Sequence, residues 1–303
     1  MGVIDLGTNT VLCTVLFGEP RDARRLRIAE DLHFVTGLGR DRGEDGSLHP
    51  AGTARALRAL RHVSRRLREL GVPPSAVRGA ATAACREAPD GPALLAHIRE
   101  QLGLPLHVVH GEREADLVAL AQRHSFLEQE PLLVIDIGGG STEIALTAGD
   151  EWRVSIPVGA TKLSEALGPS PSVADTRALV TSHVASQALG PLPSTSTLVG
   201  VAGTVTSALQ IADAHAVWDP TTLHGRVLRR VDIVALGERL LSMTPAARRS
   251  IAGLHPGRAD ALGPACFWLD ALMDRLGHQQ LLVSDRGVRF GLLFEAWPRA
   301  VVL

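Results

Sequence analysis

Apolar positions along this chain come in short runs cut by glycine- and hydroxyl-rich turns, with longer stretches of helical spacing between them. The clearest unit is Val3-Ile4-Asp5-Leu6, an apolar run carrying one aspartate. It is followed by the turn Gly7-Thr8-Asn9-Thr10 and a second apolar run over residues 11–17. The unit recurs with position 134 in the place of position 3. Val134-Ile135-Asp136-Ile137 leads into Gly138-Gly139-Gly140-Ser141-Thr142-Glu143 and then the run 144–147. Strand, polar turn, strand is the pattern of a β-hairpin. A repeat at so long an interval reads as a duplicated domain rather than a solenoid, whose periods are far shorter.

Between the two copies, residues 51–70 carry Leu57, Leu60, Val63, Leu67 and Leu70 at helical spacing, and Gly71-Val72-Pro73-Pro74 ends the run. The opposite face holds Arg58, Arg61, Arg65 and Arg68, which reads first as a solvated helix face and second as a track for a polyanion. The Gly-, Asp- and Arg-rich stretch 37–50 is expected to be a mobile loop. A strand over 77–81 runs into residues 82–88, a helix starts at Asp90-Gly91-Pro92, and 106–109 is a further strand. At His110-Gly111 the chain turns into a helix beginning near Glu112, with Leu117, Leu120 and Ala121 at core spacing. The domain boundary is expected in this helix or just after it. The second half reads as a turn at Ala148-Gly149-Asp150, a strand over 152–156, a Pro/Ser/Thr loop over 190–197 and a strand over 198–201. Ala202-Gly203-Thr204 is then a third small-residue turn, where a phosphate or nucleoside would rest. A strand over 281–283 follows, and Ser284-Asp285 is expected to cap a final helix. Strands alternating with helices make an α/β chain.

Composition narrows the function. The 303 residues are 45% hydrophobic and 21% charged, an ordinary globular balance with room for two cores. The formal net charge of −1 supplies no global field toward nucleic acid or membrane. No apolar run approaches bilayer length, and a strand beginning by Val3 leaves no space for a signal peptide, so a cytoplasmic location is expected. Cys13, Cys85 and Cys266 are isolated and read as buried thiols of a reducing compartment. The histidines form no His-Glu-x-x-His motif. Lys162, the single lysine, follows Thr161, so no Walker A loop exists; the glycine run at 138 opens onto a β-like run, which excludes the Rossmann fingerprint.

The twin turns suit phosphate for a reason of backbone access. Glycine lets amide N–H groups approach an anion closely, and flanking Thr and Ser hydroxyls add donors. Asp5, Asp136 and Glu143 would repel phosphate directly, so they make sense with a cation between, and Mg²⁺ prefers that mixture of carboxylate and phosphate oxygens.

Together these residues resemble the exopolyphosphatase / guanosine pentaphosphate phosphohydrolase family over almost the whole chain. The resemblance rests on Asp5-Leu6-Gly7-Thr8-Asn9-Thr10, residues 82–88, 111–117 and 136–143, and Gly159-Ala160 with Lys162-Leu163. It continues through Ala202-Gly203-Thr204, Arg258-Ala259-Asp260 and Ser284-Asp285-Arg286-Gly287. Single hairpins of this kind recur across the wider actin-like superfamily; the ordered combination marks the phosphohydrolases. The resemblance implies two ribonuclease-H-like (actin-like) domains, mixed sheets flanked by helices, with a cleft between them. The first would span 1–120 with a C-terminal helix at about 286–303, and the second 121–285.

The same resemblance assigns roles. Gly111-Glu112-Arg113-Glu114-Ala115-Asp116-Leu117 matches the stretch that holds the water-activating carboxylate, which makes it Glu114, with Arg86 as a phosphate contact. Gly7, Thr8, Asn9, Thr10, Gly138, Gly139, Gly140, Ser141, Gly203 and Thr204 would bind phosphate, and Asp5, Asp136 and Glu143 a Mg²⁺ ion or another divalent cation. The expected activity is release of terminal orthophosphate from inorganic polyphosphate. The alternatives are guanosine pentaphosphate as substrate, a sugar kinase, or a non-catalytic polyphosphate or nucleotide sensor. A homodimer is implied; nucleic acid and membrane are not. The chain departs from the family pattern at Leu12, Arg113, Lys162 and Phe290, and the His-Asp helical domain of longer members is expected to be missing, so the resemblance does not carry over their high processivity on long polymers.

Overall fold

The computed structural model describes residues 1–19, 22–147, 152–187, 189, 196–213 and 222–302. The expected turn at 148–150 and most of the loop at 190–197 lie outside these residues.

The first sheet grows from a meander of β1 (Gly2–Leu6), β2 (Thr10–Glu19) and β3 (Asp22–Val35). It continues through α1 (Pro50–Glu69) to β4 (Val77–Ala81), which lies parallel to β1, and through α2 (Ala83–Glu87) and α3 (Gly91–Leu102) to β5 (Leu106–Val108). After α4 (Gly111–Ser125) the plan repeats. A meander of β6 (Leu132–Ile137), β7 (Thr142–Leu146) and β8 (Arg153–Ile156) leads through α5 (Ala160–Leu167) and α6 (Val173–Ser186) to β9 (Thr197–Val201), parallel to β6. Then come α7 (Ala202–Ala212), β10 (Val227–Arg229), α8 (Arg230–Ser242), α9 (Pro245–Arg249), α10 (Ala259–Arg275) and β11 (Gln280–Val283). The chain closes with α11 (Val288–Ala296) and β12 (Val301–Val302). The sheet orders are β12-β3-β2-β1-β4-β5 and β10-β11-β9-β6-β7-β8. The central order β3-β2-β1-β4 is reproduced by β8-β7-β6-β9, so the repeat seen in sequence is a repeat of sheet topology.

Each sheet has its own apolar core. Leu60, Val63, Leu67 and Ile98 lie under the first, and Phe267, Trp268, Leu269 and Leu272 under the second. The Trp268 indole N–H donates to Thr142 Oγ1 at 2.9 Å, which satisfies its polar edge and ties α10 to the start of β7. Helix α1 starts as its sequence dictates, with Pro50 in the first turn and His49 Nδ1 accepting from the Ala51 N–H. Helix α4 packs against β6, β7 and β8, and α11 lies between α4 and the strands β1 and β4.

Four expectations need correction. The loop before α1 is packed, not loose: Leu38 and Leu48 are buried, and the Leu48 N–H donates to Asp90 Oδ1 at 3.0 Å. Ala202-Gly203-Thr204 is the first turn of α7, continuous with the helix. Ser284 and Asp285 do not cap α11, whose N-cap is Gly287. Ser284 Oγ accepts instead from the Arg286 N–H, and Asp285 pairs with His224 at 2.8 Å. The C-terminal segment is helical only as far as Ala296, because Trp297 precedes a proline and is pushed out of helical geometry. Val301–Val302 then joins the edge of β3 as a short parallel strand.

Candidate active site between the twin hairpins

The two hairpins are built alike. The Gly7 N–H donates to the Thr10 carbonyl at 2.9 Å, and the Gly138 N–H to the Ser141 carbonyl at 3.0 Å. Register places Asp136 directly across from Glu143 and, in the first copy, Asp5 across from Leu12. Directly opposite residues share a sheet face, so the second hairpin carries a carboxylate pair where the first carries one carboxylate and a leucine.

The turn tips touch. A methyl group on Gly139 would come within 3.0 Å of Thr8 Cβ, and one on Gly140 within 2.7 Å of Thr8 Oγ1, so bare backbone there allows the first hairpin to lie on the second. The carbonyls of Gly138 and Gly139 accept from the N–H groups of Ala160 and Thr161, both at 2.9 Å, which fixes the second turn on the start of α5.

Beside the touching tips is a cavity of about 300 Å³. Gly7, Thr8, Thr10, Gly138, Gly140, Ser141 and Gly203 line it, together with Asp5, Asp136 and Glu114. Asn9, Gly139 and Thr204 face a separate pocket of about 60 Å³ on the other side of the tips, and Thr204 Oγ1 donates to the Ile137 carbonyl at 3.3 Å. Glu143 sits behind the cavity wall and accepts from Ser155 Oγ at 2.7 Å. Arg86 also lies behind it, donating to Glu114 Oε2 at 3.1 Å and to the Val109 carbonyl at 2.9 Å. Lys162 binds Glu87 at 3.0 Å, away from the turns.

Burial governs the electrostatics. Desolvation pushes the Asp5 carboxyl up to about 6, against the opposing pull of Arg289. Desolvation takes Glu143 up to about 7 despite its hydrogen bond from Ser155. Asp136 is driven well above the usual carboxylate range by burial and then by the charges of Glu143 and Asp5. Glu114 is driven up by burial and the same carboxylates, with Arg86 holding it back. Four buried acids, with Glu114 and Asp136 raised further by their acidic neighbours, form a site in want of positive charge.

A divalent cation fits that want. Asp5 Oδ1 is buried and has no hydrogen-bond partner among the described residues. No three acidic, His or Cys side chains among them stand close enough to hold an ion alone. The remaining ligands would therefore come from substrate oxygens and water, the arrangement Mg²⁺ favours.

The cavity lining also includes four basic side chains that the sequence analysis gave no role. Arg258, Arg289, His33 and His255 line the cavity. Arg258 donates to Ser207 Oγ at 3.1 Å, and among the described residues it forms no ion pair; burial depresses its pKa. Arg289 instead binds Asp31, and donates to Thr14 Oγ1 at 2.7 Å. Arg258 stood within a quoted stretch, but its aim into the cavity depends on contacts 248 residues away in sequence, which no local pattern signals.

Comparison with known proteins finds relatives along nearly the whole chain. The profile of the Ppx/GppA phosphatase family matches residues 21–300. The chain is 30% identical to exopolyphosphatase 2 of Mycobacterium tuberculosis, over 96% of this chain and 97% of that protein. An exopolyphosphatase structure from Cytophaga hutchinsonii superposes with a TM-score of 0.85 at 22% identity, covering 99% of this chain and 98% of the other. The Aquifex aeolicus Ppx/GppA member does so with a TM-score of 0.78 at 23% identity, covering 97% and 96%. The two-sheet fold is thus the actin-like fold of those structures. The chain belongs to the Ppx/GppA phosphatase family.

Proposed function

We propose that this phosphoanhydride hydrolase is an exopolyphosphatase, releasing terminal orthophosphate from inorganic polyphosphate by attack of water. The observation that carries the reading is the meeting of the two hairpin tips beside one cavity that Glu114, Asp5 and Asp136 also line. The likeness to the M. tuberculosis exopolyphosphatase supports it. Backbone and hydroxyl groups of Thr8, Thr10, Gly140 and Ser141, which line the cavity, bind the terminal phosphoryl group. Asp5 and Asp136, backed by Glu143, would hold a divalent cation together with substrate oxygens and water, and that ion would supply charge neutralisation at the phosphate oxygens. Glu114 accepts the proton of the attacking water, and Arg86 keeps its carboxyl ionised and aimed. Arg258, also on the cavity lining, binds oxygens of the leaving chain. Positioning and charge neutralisation carry most of such catalysis.

A second reading keeps the chemistry and takes guanosine pentaphosphate. The polar groups of Thr206, Ser207 and Gln210 on the same cavity favour it, since they can meet a sugar or base. Phosphate release from tripolyphosphate, long polyphosphate and guanosine pentaphosphate, each with Mg²⁺ and with chelator, decides between them. Mg²⁺-dependent release from polyphosphate at higher kcat/KM is the expected result. Release from the nucleotide alone replaces it with the second reading, and release from none removes both.

A further inference from the structure

We propose that the exposed arginine face of α1 is a docking track for the part of a long polyphosphate chain that lies outside the cavity; the inference rests on the polyphosphate reading above. Helix α1 contains six arginines and one glutamate, in a chain whose formal net charge is −1. Arg55, Arg58, Arg61, Arg65 and Arg68 are all exposed. The last four follow steps of three and four residues, which keeps them on one helix face. From Arg55 to Arg68 the face runs about 20 Å along the axis.

Glu69 alone on the helix offsets part of this charge, at its C-terminal end. Arg66 turns aside to Glu30 and Glu69, and Arg65 stands 3.7 Å from Glu69. Among the described residues, Arg58, Arg61 and Arg68 have no acidic side chain within ion-pair distance. The first turn has no acidic residue, so no carboxylate at that end offsets the arginines. A face that serves only solvation normally intersperses acids with bases, and like charges at these spacings repel one another. A polyanion lying along the face removes that repulsion.

The helix also starts close to the first hairpin. The Asn9 carbonyl at the first hairpin tip accepts from the N–H groups of Thr36 and Gly37, at 2.8 and 3.0 Å. Arg55 Nε donates to the Thr36 carbonyl at 2.5 Å, and a methyl on Gly52 would meet the Gly37 carbonyl at 2.9 Å. The N-terminal turns of α1 therefore sit against the loop that braces the phosphate hairpin. A cavity of about 300 Å³ takes the end of a polymer and not its length, so the rest of a long chain must cross the surface.

The test compares wild type with the quadruple variant Arg58→Gln, Arg61→Gln, Arg65→Gln, Arg68→Gln. Tripolyphosphate and long-chain polyphosphate serve as substrates, and equilibrium binding of the long chain is followed in chelator across a salt series. We expect KM for the long chain to rise about tenfold and its salt dependence to flatten, because fewer counter-ions are displaced. Kinetics on tripolyphosphate should stay unchanged. Unaltered long-chain binding, or an equal loss on both substrates, overturns the track. Tighter binding of a nucleic-acid oligomer than of polyphosphate overturns its occupant. A wild type that hydrolyses no polyphosphate fails at the first measurement, which marks the functional reading, not the track, as the fault.

Discussion

Glu114 is held in a conflict that sets its chemistry. Burial and three neighbouring acids favour its protonated form, while Arg86 at 3.1 Å favours the carboxylate that a base must be. Glu114→Gln keeps the shape and removes the proton acceptor, so turnover should fall by roughly 10²–10⁴ with KM little changed. Arg86→Gln should move the acid limb of the kcat/KM profile to higher pH, because the pull that lowers the Glu114 pKa is gone; an unmoved limb would separate the pair. Arg258→Met should raise KM by about ten- to a hundredfold, the worth of a charge-assisted hydrogen bond to a phosphate oxygen. At this scale the sequence could name Asp5, Glu114 and Asp136 through their motifs. It could not choose among thirty-one basic residues, because Arg258 and Arg289 reach the cavity only through long-range packing.

The elements act as mounts for those side chains. Helix α4 presents Glu114 in its first turn and is pressed by α11, whose Gly291 gives it room. A methyl at Gly291 would lie 2.1 Å from the Leu117 carbonyl, and backbone cannot yield as a flexible side chain does. Gly291→Ala should therefore lower stability by about 1–3 kcal/mol or more, read from the denaturation midpoint. Strands and helices were legible because apolar periodicity reports which face is buried, as at Leu60, Val63 and Leu67 of α1. Helix ends were less so. Ser284-Asp285 has the composition of an N-cap, but tertiary pairing with His224 takes Asp285 elsewhere.

At the scale of the molecule, folding gathers acids that repel one another, and stability should record it. Asp5 and Glu143 have folded pKa values raised to about 6 and about 7, above those of an unfolded chain. The native state therefore binds more protons over that range, and stability falls as pH rises from about 4 through 7. Without divalent cation, the melting temperature should be higher near pH 5 than near pH 8, and Mg²⁺ should raise it most at the alkaline end. A melting temperature insensitive to both would remove the acid cluster as a cation site. The repeated hairpins, the α/β alternation and the phosphate-type turns were determined by the sequence alone, since each depends on residues adjacent in the chain. Tertiary structure alone decided that the tips of Thr8 and Gly140 touch, that Asn9 lines the smaller pocket and not the larger, and that Arg258 and Arg289 reach the cavity that the acids line. Those facts arise from the way α4 and α11 pack the two halves together, and distance in space is not written in distance along the chain.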